Sequence, residues 1–123
     1  MAWVTKITPI IVFIVGLIHA GLAIGEIFFA VPFLVSRFDF AQEVAVQAKP
    51  IVQNAGLYNS FIAAGLFWSA FKLRTDKSLA IFFLICVLIA GIFGAITLRP
   101  TTLILQTVPA LIALIIISLY KPE

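Results

Sequence analysis

The chain has 123 residues, 63% of them hydrophobic and 11% charged, with a formal net charge of +3. A soluble domain is typically about 25% charged, so this composition excludes a soluble enzyme core, a disordered regulator and a nucleic-acid surface. Four membrane-crossing helices of roughly 20 residues take about 80 apolar positions, about two thirds of such a chain. The single cysteine, Cys86, excludes an intramolecular disulfide, and the single histidine, His19, excludes a zinc site built on several histidines. No metal site is expected, and the composition points to no cofactor.

The first apolar stretch covers about residues 7–34, interrupted only by His19 and Glu26. It outlasts the apolar segment of a signal peptide, so a retained helix is expected. Residues 36–49 form the one long connection. Within it Phe40, Ala41, Val44, Ala45 and Ala48 share a helical face opposite Asp39, Gln42, Glu43 and Gln47. That period predicts a short amphipathic helix on the outer interface, between the first and second spans. The second span is expected over about 51–71, with Pro50 at its start, where a missing N–H does no harm. The third covers about 78–98 and stops at Arg99-Pro100; the fourth covers about 101–119. The predicted fold class is an all-α integral membrane protein, an antiparallel bundle of four transmembrane helices forming one domain over 1–123.

Four spans place both termini on one side. That side carries Lys6, Lys72, Arg74, Lys77 and Lys121, against Arg37, Lys49 and Arg99 on the other. The excess of basic residues favours cytoplasmic termini. Trp3, Trp68 and Tyr120 lie near helix ends, as interface anchors do. Gly21, Gly25, Ala90, Gly91, Gly94 and Ala95 have the small-residue spacing of close helix packing, and Cys86 is apolar filler.

Inside hydrocarbon the polar residues carry the information. At 1.5 Å per residue, Gln53 and Asn54 are shallow, while Gln106 lies about 8 Å below the outer end of its helix. Tyr58 and Asn59 lie about 10–12 Å down, Glu26 about 12 Å, and His19 near the midplane. These groups converge on the outer half of the membrane and predict one polar pocket there. His19 and Glu26 are seven residues apart, on one face but about 10 Å from each other, so they cannot bond directly. Asn54 and Tyr58 share a face at i and i+4; Asn59, one residue round, and Gln106 from the fourth span are the two candidates to bond Glu26 across helices. An ionised carboxylate at a helix centre costs about 3 kcal/mol, and no Lys or Arg is expected at the depth of Glu26. Glu26 is therefore either protonated or paired in a wet pocket, and the expected form is the protonated carboxyl, able to give or take a proton. The structural alternatives are interhelical bonds for Asn54, Asn59 and Gln106, packing for Tyr58, and a bond to a nearby carbonyl for His19.

The stretch from Gln53 through Asn54, Gly56, Leu57, Tyr58 and Asn59 to Gly65-Leu66 resembles a bacterial family of small four-helix membrane proteins, domain of unknown function 1304. Residues Ala90-Gly91-Ile92-Phe93-Gly94-Ala95, the pattern Gln106-x-x-Pro109-Ala110, and His19 and Glu26 are similar to it as well. The order Gln53-Asn54 reverses the family's pair, and Ala55 and Ser60 stand where small glycine-like positions are usual. The resemblance implies a four-helix membrane fold and importance for His19, Glu26, Asn59 and Gln106. It implies no reaction.

Three functions stay open. The first is acid–base chemistry on, or binding of, a lipophilic small molecule. Glu26 and His19 would then be the catalytic pair, and Tyr58, Asn59, Asn54 and Gln106 would hold the ligand. The second is a structural or accessory subunit of a larger membrane complex, or a homo-oligomer. The third is a proton-coupled small transporter. The partners expected are membrane lipid and a lipophilic small molecule, in a bacterial plasma membrane, with no nucleic acid.

Overall fold

The computed structural model describes residues 2–122, and every regular element among them is helical. Helix α1 covers Ala2–Phe28, α2 Ala30–Phe38, α3 Gln42–Lys72 and α4 Ser78–Thr97. A π-helical turn, Leu103–Thr107, leads into α5, Val108–Ser118. Helices α1 and α4 are long and apolar enough to cross a membrane, and Leu103–Ser118 is a shorter apolar helix. Helix α3 is longer than either, but Gln53, Asn54 and Asn59 interrupt its apolar run.

Two elements differ from the sequence expectation. The stretch 7–34 is not one straight helix: the chain bends at Phe29, whose φ/ψ of −131°/36° is not helical. The cause is Pro32. It has no N–H to give the carbonyl of Phe28, four residues back, and its ring crowds that carbonyl. Regular bonds resume on either side, from Phe29 N to Gly25 O at 3.0 Å and from Phe33 N to Phe29 O at 2.9 Å. The second difference is the separate amphipathic helix expected within 36–49. From Gln42 onward this segment is the beginning of α3, which runs on through Pro50. Gln42, Glu43, Ala45, Gln47 and Ala48 favour helix, and one bond lost at Pro50 does not outweigh them.

Helix α1 packs on α3 and α5, α4 packs on α3, α5 and the π turn, and α2 lies against α3 and α1. Where α1 meets α3, residue numbers rise along one helix as they fall along the other. Phe13 stacks on Phe67 with ring centroids 4.7 Å apart, and Glu26 bonds Asn59. Gly16 admits the Phe67 ring, since a Cβ there would stand 2.7 Å from it. Gly65 likewise admits Phe83, and Gly91 admits Thr107 and Gln106. Gly21 differs, having nothing within 4 Å of its Cβ position, so it is not a packing glycine.

The tightly packed core lies at the end of the molecule holding the start of α1. It combines Val4, Val12 and Val15 with Leu66 and Leu73, Ala80, Leu84 and Val87, and Ala110, Ala113, Ile117 and Tyr120. Tyr120 is buried there rather than exposed as an interface anchor, whereas Trp3 and Trp68 are exposed. At this end Lys77 Nζ donates to the carbonyl of Ile117, in the last turn of α5, at 3.4 Å and to that of Tyr120, just beyond it, at 2.8 Å.

The turn before α4 is fixed by Asp76, whose carboxylate accepts the Ser78 backbone N–H at 2.8 Å. That bond holds the exposed Asp76 carboxyl below the ordinary aspartate range. A carboxylate with a lowered folded-state pKa contributes stability above its unfolded pKa and loses it as pH falls through the folded one. A carbon-detected NMR titration should therefore show Asp76 ionising at lower pH than a free aspartate. Asp76→Asn should weaken the acid dependence of unfolding below neutral pH, and an Asp76 that titrates like a free side chain would contradict the capping role.

Candidate functional site

The polar residues gather at the opposite end, where α1 stops. Three residues of α3 spaced three apart, Gln53, Gly56 and Asn59, face α1 there. Gln53 Nε2 donates to the carbonyl of Ile27 at 2.9 Å, next to the bend. Asn59 Nδ2 donates to Glu26 Oε2 at 2.7 Å, while Oε1 takes no bond from the described residues. Between them Gly56 is buried, and a Cβ there would lie 2.8 Å from Glu26 Cβ and 3.1 Å from the Ile27 backbone N. The missing side chain is what allows the two backbones to come close enough for both amides to reach across.

Glu26 opens onto a cavity of about 400 Å³. Asn59, Gln106, Thr102 and Arg37 line it with Glu26, and Phe33, Phe38, Phe93 and Leu98 supply apolar walls. A second cavity of about 270 Å³ shares Glu26, Phe33, Phe38 and Leu98 and continues along Phe40, Ala48, Ile51, Val52 and Ala55. Polar groups thus cluster on one side of Glu26 and apolar ones on the other. Phe40 and Ala48, from the apolar face of segment 36–49, turn into this second cavity.

Arg37 is the residue that sequence reasoning missed here. A straight helix through residue 34 carries it well past Glu26, but the bend at Phe29 sends α2 across the cavity. Its position is fixed from α4's far end. Arg99 Nη1 donates to the Arg37 carbonyl at 3.2 Å, and Arg99 Nη2 pairs with the Asp39 carboxylate. Asp39 ends α2 in the left-handed region at φ 55°, and its N–H returns to the carbonyl of Leu34. A cation at a helix C-terminus is favourable, and this one also bonds the exposed carbonyl.

The π turn places the other polar lining. Val108 N–H reaches back five residues to the carbonyl of Leu103, and Pro109 has no N–H for Leu105. Thr102 Oγ1 bonds the Gly91 carbonyl at 2.9 Å, and Thr107 Oγ1 bonds that of Leu88 at 3.3 Å. These bonds set Gln106 beside the cavity. Thr102 itself was not anticipated, and Thr101-Thr102 read simply as a helix start.

The remaining sequence candidates lie elsewhere. Tyr58 is 61% exposed, with its ring edge against Phe61 at 6.0 Å. Asn54 is also exposed. At 100° per residue, the face holding 54 and 58 cannot be the face holding 53, 56 and 59, so neither joins the cavity lining. His19 is buried, its Nδ1–H donating to the Val15 carbonyl at 2.9 Å, and it is absent from the lining of both cavities. The structure therefore brings Glu26, Asn59 and Gln106 together and separates His19, Tyr58 and Asn54 from them. Among the described residues no cluster of His, Cys, Asp and Glu could hold a metal ion.

Gly56→Ala isolates the backbone approach. Its Cβ meets backbone and Cβ atoms that cannot rotate away, so α1 and α3 must separate. The expected loss is about 1–3 kcal/mol, with weaker protection of the Asn59 side-chain amide from hydrogen exchange. Gly21→Ala has open space and should be neutral or stabilise slightly. Equal effects of the two substitutions on thermal unfolding would contradict this role for Gly56.

No curated protein and no solved structure matches the chain. A family model described as "Protein of unknown function (DUF1304)" matches residues 13–118, which include the whole of the cavity lining. On that match the chain belongs to the DUF1304 family.

Proposed function

We propose that this is an integral membrane protein whose cavity at Glu26 binds a lipophilic small molecule, with the carboxyl group meeting the ligand's polar end. On this proposal α1, α3, α4 and the π turn with α5 cross the bilayer as an antiparallel four-helix bundle, with both termini cytoplasmic. Support for spanning comes from the outward faces. Phe28, Phe71, Ile96 and Ile104 are each more than 70% exposed, and soluble monomers seldom leave apolar area of that extent in water. Five basic residues at the end holding the termini, against three at the other, support the orientation.

The observation that carries the ligand reading is Glu26 at the junction of a polar-lined and an apolar cavity. Asn59 orients the carboxyl through Oε2, and Oε1 takes no bond from the described residues. A few fixed polar groups in an otherwise apolar concavity of a few hundred Å³ is how small-molecule sites are built. An interhelical clasp would need only amides, which span the same gap without introducing a carboxyl. Proton transfer at the bound molecule by Glu26 is the second reading, favoured by that unbonded Oε1. His19 would take no direct part in it, because its ring is bonded to its own helix.

The test is gentle extraction from native membranes followed by native mass spectrometry of the wild type and Glu26→Gln. Wild type should retain a small lipophilic molecule after alkaline carbonate has left the protein in the membrane pellet. Glu26→Gln should retain at least about tenfold less, the loss expected for one charge-assisted hydrogen bond. A protein partner at fixed ratio with no small ligand would overturn the proposal.

A further inference from the structure

Glu26 and Arg37 line the same cavity, yet no ion pair joins them. Among the described residues neither is diverted into an ion pair elsewhere. Glu26 has one neutral partner, Asn59, and Arg99 rather than Arg37 takes the Asp39 carboxylate. The Arg37 guanidinium stands 5.9 Å from the Phe38 ring centroid, which leaves its N–H groups in the ring's neighbourhood without a carboxylate. Its backbone is held by Arg99, so its place at the cavity is set by the fold rather than by the side chain alone.

We propose that the ligand is a zwitterionic amphiphile. Its cationic group meets Glu26, which gives up its proton to water as the pair forms, its anionic group meets the Arg37 guanidinium, and its apolar chain enters the adjoining cavity. This rests on the ligand reading above and specifies the chemical class. A cationic amphiphile would press a like charge on Arg37, and an anionic one would leave Glu26 protonated without an ionic partner. A neutral one would leave the Arg37 guanidinium without an anion. A head bearing both signs matches both, and a planar guanidinium suits a sulfonate, phosphate or carboxylate through paired N–H bonds. Gln106 and Thr102, which are neutral, complete the polar side. Phe33, Phe38 and Leu98 belong to both cavities and make an apolar passage from head to chain.

The experiment uses the full chain in uncharged maltoside micelles and four single-chain probes of equal length. These are a dodecyl sulfobetaine, dodecanesulfonate, dodecyltrimethylammonium and dodecanol, each added below its own micelle-forming concentration. Retention is read by native mass spectrometry. Wild type should hold the sulfobetaine at least about tenfold more tightly than either singly charged probe. Arg37→Gln should abolish the advantage over the ammonium probe, and Glu26→Gln the advantage over the sulfonate. Arg37→Lys keeps the charge and should keep most of the preference; thermal unfolding checks that each variant is folded. Equal binding of all four probes by wild type, or preferences unmoved in the variants, would overturn the zwitterion assignment while leaving the cavity a ligand site. Retention of none of the four would overturn both.

Discussion

Pro32 lacks an N–H and crowds the carbonyl of Phe28, and the whole upper part of the molecule follows from that. Without the break, residues 30–38 would extend α1 and carry Arg37 away from every other helix. With it, α2 lies against α3 and α1 and closes one side of the Glu26 cavity. The bend also leaves α1 with end carbonyls to satisfy. Gly25 receives the Phe29 N–H and Ile27 receives Gln53 Nε2, so a side chain of α3 completes the end of α1. A helix break in a low-dielectric setting is tolerated when neighbours satisfy the freed backbone groups in this way.

The two ends of the molecule solve different problems with the same device. At each end of α4 stands a cation that serves another helix's C-terminus. Lys77 bonds the carbonyl of Ile117 at the end of α5 and that of Tyr120 just after it, and Arg99 bonds the carbonyl and carboxylate that finish α2. At the Lys77 end these bonds sit over a filled core of Val, Leu, Ala and Ile side chains. At the Arg99 end they hold α2 over space that side chains do not fill. Helix α4 therefore fixes both ends by polar bonds, while its middle is held to the π turn by the Thr102 and Thr107 hydroxyls. Each such bond contributes about 1 kcal/mol net, and their placement matters more than their sum.

Much of this was legible in sequence. The all-helical chain, the stop at Arg99-Pro100 and Asn59 as one of two candidates to bond Glu26 follow from hydropathy, proline and the 3.6-residue period. What was not legible depended on where the period was anchored. Asn54 and Tyr58 form a plausible polar face, and so do Gln53, Gly56 and Asn59. The second has Gly56 between its two amides, and there a second backbone comes close, whereas Gly65 on the first face admits only a side chain, Phe83. Pro50 and Pro32 show a similar ambiguity. Both fall within helix-forming sequence, yet α3 passes through Pro50 while α1 breaks before Pro32. The difference lies in tertiary contacts: the segment before Pro50 buries Ala45, and α2 gains its own contacts by turning aside.

The same anchoring explains why one carboxyl and one guanidinium can occupy an apolar structure. Glu26 reaches its place only because Gly56 brings α3 close, and Arg37 only because the chain bends at Phe29. Each charge is delivered by a backbone feature that would serve no purpose in a simple bundle. A clasp between helices could be made by Asn59 and a second amide on straight helices, with no glycine contact and no break. The bend, the close approach and the Arg99 anchor together place a carboxyl and a guanidinium around space that side chains do not fill, which is more than a seam between helices requires.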